Sequence, residues 1–310
     1  MTPTGTPTLD ALTGCEISLP DPAATPAIGV TIRGLDVREL TAEQAAEVRS
    51  LVYEHNLVRF RDQHLSDEEY IDLARTIGRP QVYFQENYHH PDHPEIFVSS
   101  NIPFRGEKVG VAGTGAYWHS DCSFFTEPLS MTMITPRVLP ATPRTTMFLD
   151  TAAAFDALPD DLRTRLEGTR AIHEAKWRYK VQPCDVDKSL TELLEDFDRM
   201  APAVTHPTII DHPVNGRRCL YVSSGFVVGF EGMDPEASRA LLDDVVEHMQ
   251  QERFILTSTW RMDQVVLWDN RQLNHCAGDK HTGDHSASYR IGVYDDLAFY
   301  TTQPAGRLYR

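Results

Sequence analysis

The residues best suited to chemistry in this 310-residue chain are His119 and Asp121, in the run Trp118-His119-Ser120-Asp121, and His275, which follows Trp268-Asp269-Asn270-Arg271 far downstream. Two imidazoles and one carboxylate are the ligand set that holds non-haem Fe(II) on one face of an octahedron and leaves the remaining positions open for chemistry. On a β-strand or at its end, residues i and i+2 project to the same side, so His119 and Asp121 can reach one ion while Ser120 points away. The fold has to bring in His275.

The elements that must position these groups are partly visible in the pattern. Thr41 to Gln44 and Ser66 to Glu69 each match a capping box and open helices near 42–54 and 67–77, with Val48, Leu51 and Val52, then Tyr70, Leu73 and Ala74, at helical spacing. Gly78 stops the second helix, and Asp234-Pro235 opens a third with Leu241, Leu242, Val245, Val246 and Met249 on one face. Leu57-Val58-Arg59-Phe60 reads as a strand. So do Met131–Ile134, Thr146–Leu149, Val265–Trp268 and Arg290–Tyr294, short apolar or β-branched runs punctuated by Pro, Gly and Asn, which favour a sandwich or barrel. Residues 1–25, rich in Thr, Pro and Ala, read as a loose arm. Residues 163–205, with Arg170, His173, Lys176, Trp177, Arg178 and Lys180 ahead of an acidic stretch, read as a lid inserted between strands.

Composition narrows the partners. A chain of this length with 41% hydrophobic residues can bury one substantial core, and residues 1–310 are read as a single domain. A formal charge of −16 argues against nucleic acid and anionic membrane surfaces as partners, because both require a basic face. The start of the chain lacks a basic-then-apolar leader and no window is apolar enough for a membrane span, so a cytoplasmic location is expected. Cys15, Cys122, Cys184, Cys219 and Cys276 are odd in number and lack CxxC spacing, which fits reduced thiols. Homo-oligomerisation is left open.

Gly115, Trp118, His119 and Asp121, together with Trp268-Asp269-Asn270-Arg271 and His275, resemble the taurine dioxygenase/2,4-dichlorophenoxyacetate dioxygenase family of Fe(II)/2-oxoglutarate oxygenases. The likeness extends to Asn215-Gly216-Arg217, Leu220-Tyr221-Val222 and Leu57–Asp62, and so covers most of the chain. It implies a mainly β fold with flanking helices, a double-stranded β-helix or jelly roll. It also implies Fe(II) on His119, Asp121 and His275, with 2-oxoglutarate and O2 as cosubstrates.

The far carboxylate of 2-oxoglutarate needs a cation, and the planar fork of Arg suits it. In relatives the last strand carries two arginines, one for the cosubstrate and one for the substrate's acid group; here there is one, Arg290. Aligned with the first, it leaves Tyr294 in the second position; aligned with the second, it leaves Ser286 where the cosubstrate anchor belongs. We adopt the first alignment. Thr146 stands where the family places a hydroxyl on the 2-oxoglutarate carboxylate, and Arg144 is close enough on the same strand to share that work.

For the substrate, the aromatic segment Val82 to Pro91 together with Lys180 resembles the branch that converts N-carboxymethyl-3-amino acids to isonitriles. Tyr83 and Tyr88 offer hydroxyls and ring walls, and Lys180 a cation for an acid group. His89 and His90, adjacent on a Pro-containing loop, read as surface residues and are left out of the ligand set. Two readings from other classes remain. One is a jelly-roll enzyme using the triad for Zn- or Mn-dependent hydrolysis or isomerisation, which leaves Arg290 without a task. The other is a non-catalytic small-molecule binding protein on the same fold.

Overall fold

The computed structural model describes residues 9–182, 185–278 and 283–301. Strand β1 (Glu16–Ser18) pairs antiparallel with β2 (Val30–Arg33). The first capping box then forms: Gln44 N donates to Thr41 Oγ1 and Thr41 N to Gln44 Oε1, opening helix α1 (Ala42–His55). Strand β3 (Leu57–Arg61) follows, and the box of Ser66 and Glu69 opens α2 (Asp67–Ile77). Gly78 caps α2, its N–H bonding Ala74 O, and a Cβ there would lie 2.3 Å from the carbonyl oxygen of Tyr294, so no side chain fits. Strands β4 (Arg79–Pro80), β5 (Phe97–Ser100), β6 (Met131–Val138) and β7 (Thr145–Asp150) lead to two short helices, α3 (Thr151–Asp156) and α4 (Asp160–Leu166).

After these come β8 (Arg170–His173), α5 (Leu190–Met200), β9 (Val204–Pro207), β10 (Ile209–Asp211), β11 (Arg218–Leu220) and β12 (Val227–Phe230). Asp234 caps α6 (Pro235–Met249) through its side chain, with Pro235 in the first turn where its missing N–H costs nothing. Strands β13 (Ile255–Thr259), β14 (Gln264–Asp269), β15 (Leu273–Ala277) and β16 (Ala287–Tyr294) complete the order.

The large sheet runs β1-β2-β3-β14-β6-β16-β4, with β5 also paired to β16; β13-β7-β15 form a second layer. Strand β14 is buried along its whole length because both its faces are covered. Val265 and Leu267 face α1 and α2, against Val48, Val52, Leu73 and Ile77, while Val266 and Trp268 face Phe148 and Leu273 of the second layer. That period of two places Trp268 between the sheets, next to the functional residues. Helices α3, α4 and α6 cover the β8–β12 layer through Phe155, Leu162, Leu166, Leu241 and Val245. The architecture is mainly β with flanking helices, as expected. Among the described residues no helix is long and apolar enough to cross a membrane.

Two boundary expectations change. Over Asp10–Ser18 the arm is docked: Leu12 is buried, Ala11 N and Leu12 N donate to Glu47, and β1 joins the large sheet, whereas residues 19–25 stay largely exposed. Single apolar anchors in a polar stretch hid this, and residues 1–8 of the expected arm lie outside the described residues. The expected lid at 163–205 is in part framework. Arg163–Leu166 belong to α4, and β8 pairs with both β12 and β9, so only the part between them that includes α5 stands over the site. Cys184 lies outside the described residues; Cys15, Cys122, Cys219 and Cys276 are free thiols.

Candidate active site

His119 and His275 meet as cross-strand partners. His119 N donates to His275 O (3.0 Å) and His275 N to His119 O (2.8 Å), so the backbone ladder brings the distant imidazole in. Ser120 turns the other way and donates its hydroxyl proton to Asn270 O (2.7 Å), leaving Asp121 on the side of the two histidines. His119 Nε2 lies 3.7 Å from Asp121 Oδ1 and His275 Nε2 3.7 Å from Asp121 Oδ2, beyond hydrogen-bond length and within the span of two ligands on one ion with bonds of about 2.1 Å. All three side chains are buried.

Their protonation states suit a divalent cation. His119 Nδ1 contacts Tyr117 O at 2.8 Å, and since a carbonyl only accepts, the ring proton sits on Nδ1 and the Nε2 lone pair is free. Burial pushes His275 down to about 3, with His119 beside it adding to the effect, and burial likewise lowers His119. Burial alone would raise Asp121, but Arg290, His275 and His119 hold its carboxyl well below the usual carboxylate range. Neutral imidazoles and an ionised carboxylate are what metal binding requires, so the triad fits the ion that its residue types imply.

The pocket over the triad is walled by Tyr83, Tyr88, Phe97, Tyr117, Phe124 and Phe226. The segment around α5 supplies Arg178, Tyr179 and Phe197. Two half-buried guanidiniums reach this space from different parts of the chain. Arg144 precedes β7, shares a face with Thr146 and donates to Ser288 Oγ (3.0 Å). Burial lowers its pKa, and among the described residues no carboxylate pairs with it. Arg290 on β16 donates to Asp121 Oδ1 (2.6 Å) and lies 4.1 Å over the Phe97 ring. Thr146 Oγ1 accepts from Trp260 Nε1 (2.8 Å) and lines the pocket.

The structure thus brings together His119, Asp121, His275, Thr146, Arg144, Arg290, Tyr83 and Tyr88 in one pocket. Lys180 departs from expectation. Its ammonium donates to the carbonyls of Ala112 (2.7 Å) and Gly113 (2.6 Å), fastening the loop before Thr114 and Gly115 instead of facing the pocket. Arg290 pairs with Asp121, while the residue of β16 that reaches Arg144 is Ser288, one period-two step earlier. That period would have revealed Ser288, whereas the contributions of Tyr117 and Phe226 carry no local sequence signal. Arg178 stood in the cationic run already noted.

His90 is buried, contrary to its expected surface place, and forms with His93 and Asp67 a second group of possible ligands. The Asp92 N–H donates to His90 Nδ1, so the neutral ring carries its proton on Nε2, facing Asp67 Oδ2 at 3.5 Å, and Arg137 occupies Asp67 Oδ1 at 2.8 Å. The ion pair of this group is Arg137 with Asp67, and His90 Nε2 is left without a hydrogen-bond partner among the described residues.

The Trp268-Asp269-Asn270-Arg271 run is explained by burial. Arg271 is almost fully enclosed and pairs with Asp295 (2.8 Å) and with Phe299 O (2.8 Å), while Asp269 accepts from Arg271 N (2.8 Å) and His212 Nε2 (2.7 Å). These bonds hold the turn that launches β15 and hence His275.

Comparison with known proteins agrees with this geometry. The family profile described as "Taurine catabolism dioxygenase TauD, TfdA family" matches residues 21–290. The alpha-ketoglutarate-dependent 2,4-dichlorophenoxyacetate dioxygenase of Cupriavidus pinatubonensis is 30% identical over 262 residues, covering 81% of this chain and 88% of that protein. The alpha-ketoglutarate-dependent sulfonate dioxygenase of Saccharomyces cerevisiae is 28% identical over 276 residues, covering 86% of this chain and 65% of that protein. In fold, the chain matches the crystal structure of AAD-2 in complex with Mn(II) and N-oxalylglycine (TM-score 0.73, 24% identity, 93% of this chain and 100% of that one). A taurine dioxygenase from Burkholderia xenovorans gives a TM-score of 0.71 at 24% identity, covering 90% and 89%. The chain belongs to the TauD/TfdA family, and is a jelly-roll dioxygenase dependent on Fe(II), 2-oxoglutarate and O2.

Proposed function

We propose that this dioxygenase oxidises a small molecule bearing an acid group, and that its two pocket arginines divide the anionic ligands between them. The observation that carries this is the separation of the guanidiniums: Arg144 stands with Thr146 and Ser288, while Arg290 stands beside the triad on Asp121. Arg144, without an acid of its own among the described residues, is the anchor for the far carboxylate of 2-oxoglutarate, with the hydroxyls of Thr146 and Ser288 as neutral partners. Arg290 then meets the acid group of the substrate, which revises the alignment adopted from sequence. The names of the relatives support this, since 2,4-dichlorophenoxyacetate and sulfonates both carry an anionic group.

Iron held by His119, Asp121 and His275 supplies the oxidising chemistry when bound, with 2-oxoglutarate converted to succinate and CO2. The chain's own residues bind, orient and exclude water. The His119 Nδ1–H bond to Tyr117 O keeps the imidazole lone pair aimed inward, and the aromatic wall keeps the reacting carbon dry.

Within this class we favour an N-carboxymethyl-3-amino acid converted to an isonitrile. Tyr83 and Tyr88 support it by presenting two phenols on one wall, with Arg290 5.6 Å from the Tyr83 ring centroid; Arg178 lines the pocket where Lys180 does not, though its Nε and Nη2 donate to the carbonyls of Gly225 (2.8 Å) and Ser224 (2.9 Å). The balance is R–NH–CH2–COOH + two O2 + two 2-oxoglutarate → R–N≡C + three CO2 + two succinate + two H2O. Incubating Fe(II)-loaded protein with 2-oxoglutarate, O2 and this amine acid, taurine or an aryloxyacetate distinguishes the readings. Two succinates per isonitrile are expected. Sulfite or phenol release with no turnover of the amine acid refutes the isonitrile reading and leaves a hydroxylating dioxygenase. No succinate coupled to any acid refutes the acid-substrate reading.

A further inference from the structure

We propose that Trp268, Asn270 and Thr132 form a directed hydrogen-bond relay that fixes the rotation of the Asp121 carboxylate, and that Trp268 also braces His275, so that one indole supports two of the three metal ligands. The proposal rests on the triad being the metal centre. Trp268 Nε1–H donates to Asn270 Oδ1 (3.0 Å), Asn270 Nδ2–H to Thr132 Oγ1 (2.9 Å), and Thr132 Oγ1–H to Asp121 Oδ2 (2.7 Å). Every member is at most 2% exposed. In such a dry site each bond is stronger than in water and a missing partner is correspondingly costly.

The direction of the relay is forced by the chemistry of its ends. An indole nitrogen only donates and an ionised carboxylate only accepts. The indole therefore sets which end of the Asn270 amide faces it, the amide nitrogen takes the Thr132 lone pair, and the single hydroxyl proton of Thr132 has one destination, Asp121. Its spacing comes from the sheet. Trp268 and Thr132 are direct cross-strand partners on β14 and β6, and Asn270 N donates to Ser130 O (2.9 Å). Asn270 holds the ligand segment a second time through the bond from Ser120, which lies between His119 and Asp121. On its other side the Trp268 indole packs edge-on to His275, centroids 4.9 Å apart at 62°.

The two carboxylate oxygens are thereby distinguished. Oδ2 takes a rigid, neutral donor tied to the core, and Oδ1 takes the long side chain of Arg290. The relay thus determines where the Asp121 lone pairs point before any ion arrives, which makes Thr132, Asn270 and Trp268 positioning residues. A merely structural role for the same bonds would change stability and leave the ion's environment alone.

The test is anaerobic Co(II) titration of the full chain, read as the dissociation constant and the visible absorption of bound Co(II), alongside melting temperature. Thr132→Val keeps the shape and removes the proton; it is expected to weaken Co(II) binding by about 10–100-fold and to shift the absorption band, whereas Thr132→Ser restores both to within about threefold of wild type. A Thr132→Val protein that melts like wild type and binds Co(II) with the wild-type constant and spectrum overturns the relay. Should Thr132→Val not fold, Thr132→Ala against Thr132→Ser makes the same decision, and equal Co(II) binding by those two overturns it. His275→Ala separates the premises. If it binds Co(II) as wild type does, the triad reading falls and the relay with it. If it loses Co(II) while Thr132→Val is unaffected, the relay alone falls.

Discussion

Replacing Arg144 by Leu should do two things that pull in opposite directions, and this follows from where the guanidinium sits. It is buried enough to lower its pKa, donates to one hydroxyl, Ser288 Oγ at 3.0 Å, and meets no carboxylate among the described residues. A buried cation without a counter-ion destabilises the empty protein, so its removal relieves desolvation while losing some packing, and the empty protein's stability should change by no more than about 1 kcal/mol. With 2-oxoglutarate bound the situation reverses. The far carboxylate loses its only charged partner in a dry site, a loss of about 3–5 kcal/mol, or at least about 100-fold in affinity. Arg290→Leu should show the converse pattern. It leaves Asp121 buried without its 2.6 Å partner, lowers the empty protein's stability by about 3 kcal/mol, and leaves 2-oxoglutarate affinity within about tenfold. The assay is anaerobic calorimetric titration of 2-oxoglutarate into protein saturated with Mn(II), with melting curves of the empty variants. Wild-type 2-oxoglutarate affinity in Arg144→Leu together with its loss in Arg290→Leu would refute the reasoning and restore Arg290 as the cosubstrate anchor.

Three further outcomes are expected. His119→Ala, Asp121→Ala and His275→Ala should each abolish Fe(II)-dependent succinate formation, since each removes one of three protein ligands; full turnover in any of them excludes that residue from the centre. His206, pushed down from its ordinary 6.5 to about 4 by burial, is protonated more readily in the unfolded chain, so its stabilising contribution is complete above pH 6.5 and is lost as pH falls toward 4. Urea unfolding should therefore show about 2 kcal/mol less stability at pH 5 than at pH 7 from this residue, and a His206→Gln variant with an unchanged pH slope contradicts the assignment. Gly225→Ala places a Cβ 2.5 Å from the Tyr117 ring and 2.7 Å from Trp118 O, which should cost about 1–3 kcal/mol and, by moving Tyr117 off His119 Nδ1, weaken Fe(II) binding; wild-type melting and metal affinity count against this packing argument.

What the sequence determined by itself was local in character. The capping boxes at Thr41 and Ser66 and the Asp234-Pro235 start are short-range hydrogen-bond and dihedral rules, and the helices begin at those residues. The period-two expectation for His119 and Asp121 on one side and Ser120 on the other holds, although His119 makes only a single bridge and Asp121 opens a turn. The motif residues were enough to identify the family, and with it Fe(II), 2-oxoglutarate and the jelly roll.

Tertiary structure decided whatever depends on which strand lies beside which. His119 faces His275 only through the single β-bridge that joins its loop to β15, and Arg144 approaches Ser288 only because the segment leading into β7 lies against β16. Sequence spacing along β16 led to Arg290 as the cosubstrate anchor; the fold pairs it with the triad carboxylate and places a second guanidinium, Arg144, beside Thr146, which is the basis for the division of roles proposed above. Lys180 looked like a free cation until the loop carbonyls of Ala112 and Gly113 proved to be within its reach. Leu12 docked a segment whose polar composition suggested an arm. Thr132 shows the limit most sharply: a lone strand threonine carries no signal in the chain, and only cross-strand register with Trp268 places its hydroxyl between Asn270 and the Asp121 carboxylate. Long-range pairing is set by the sum of many burial and hydrogen-bond terms over the whole chain, and no window of sequence contains that sum.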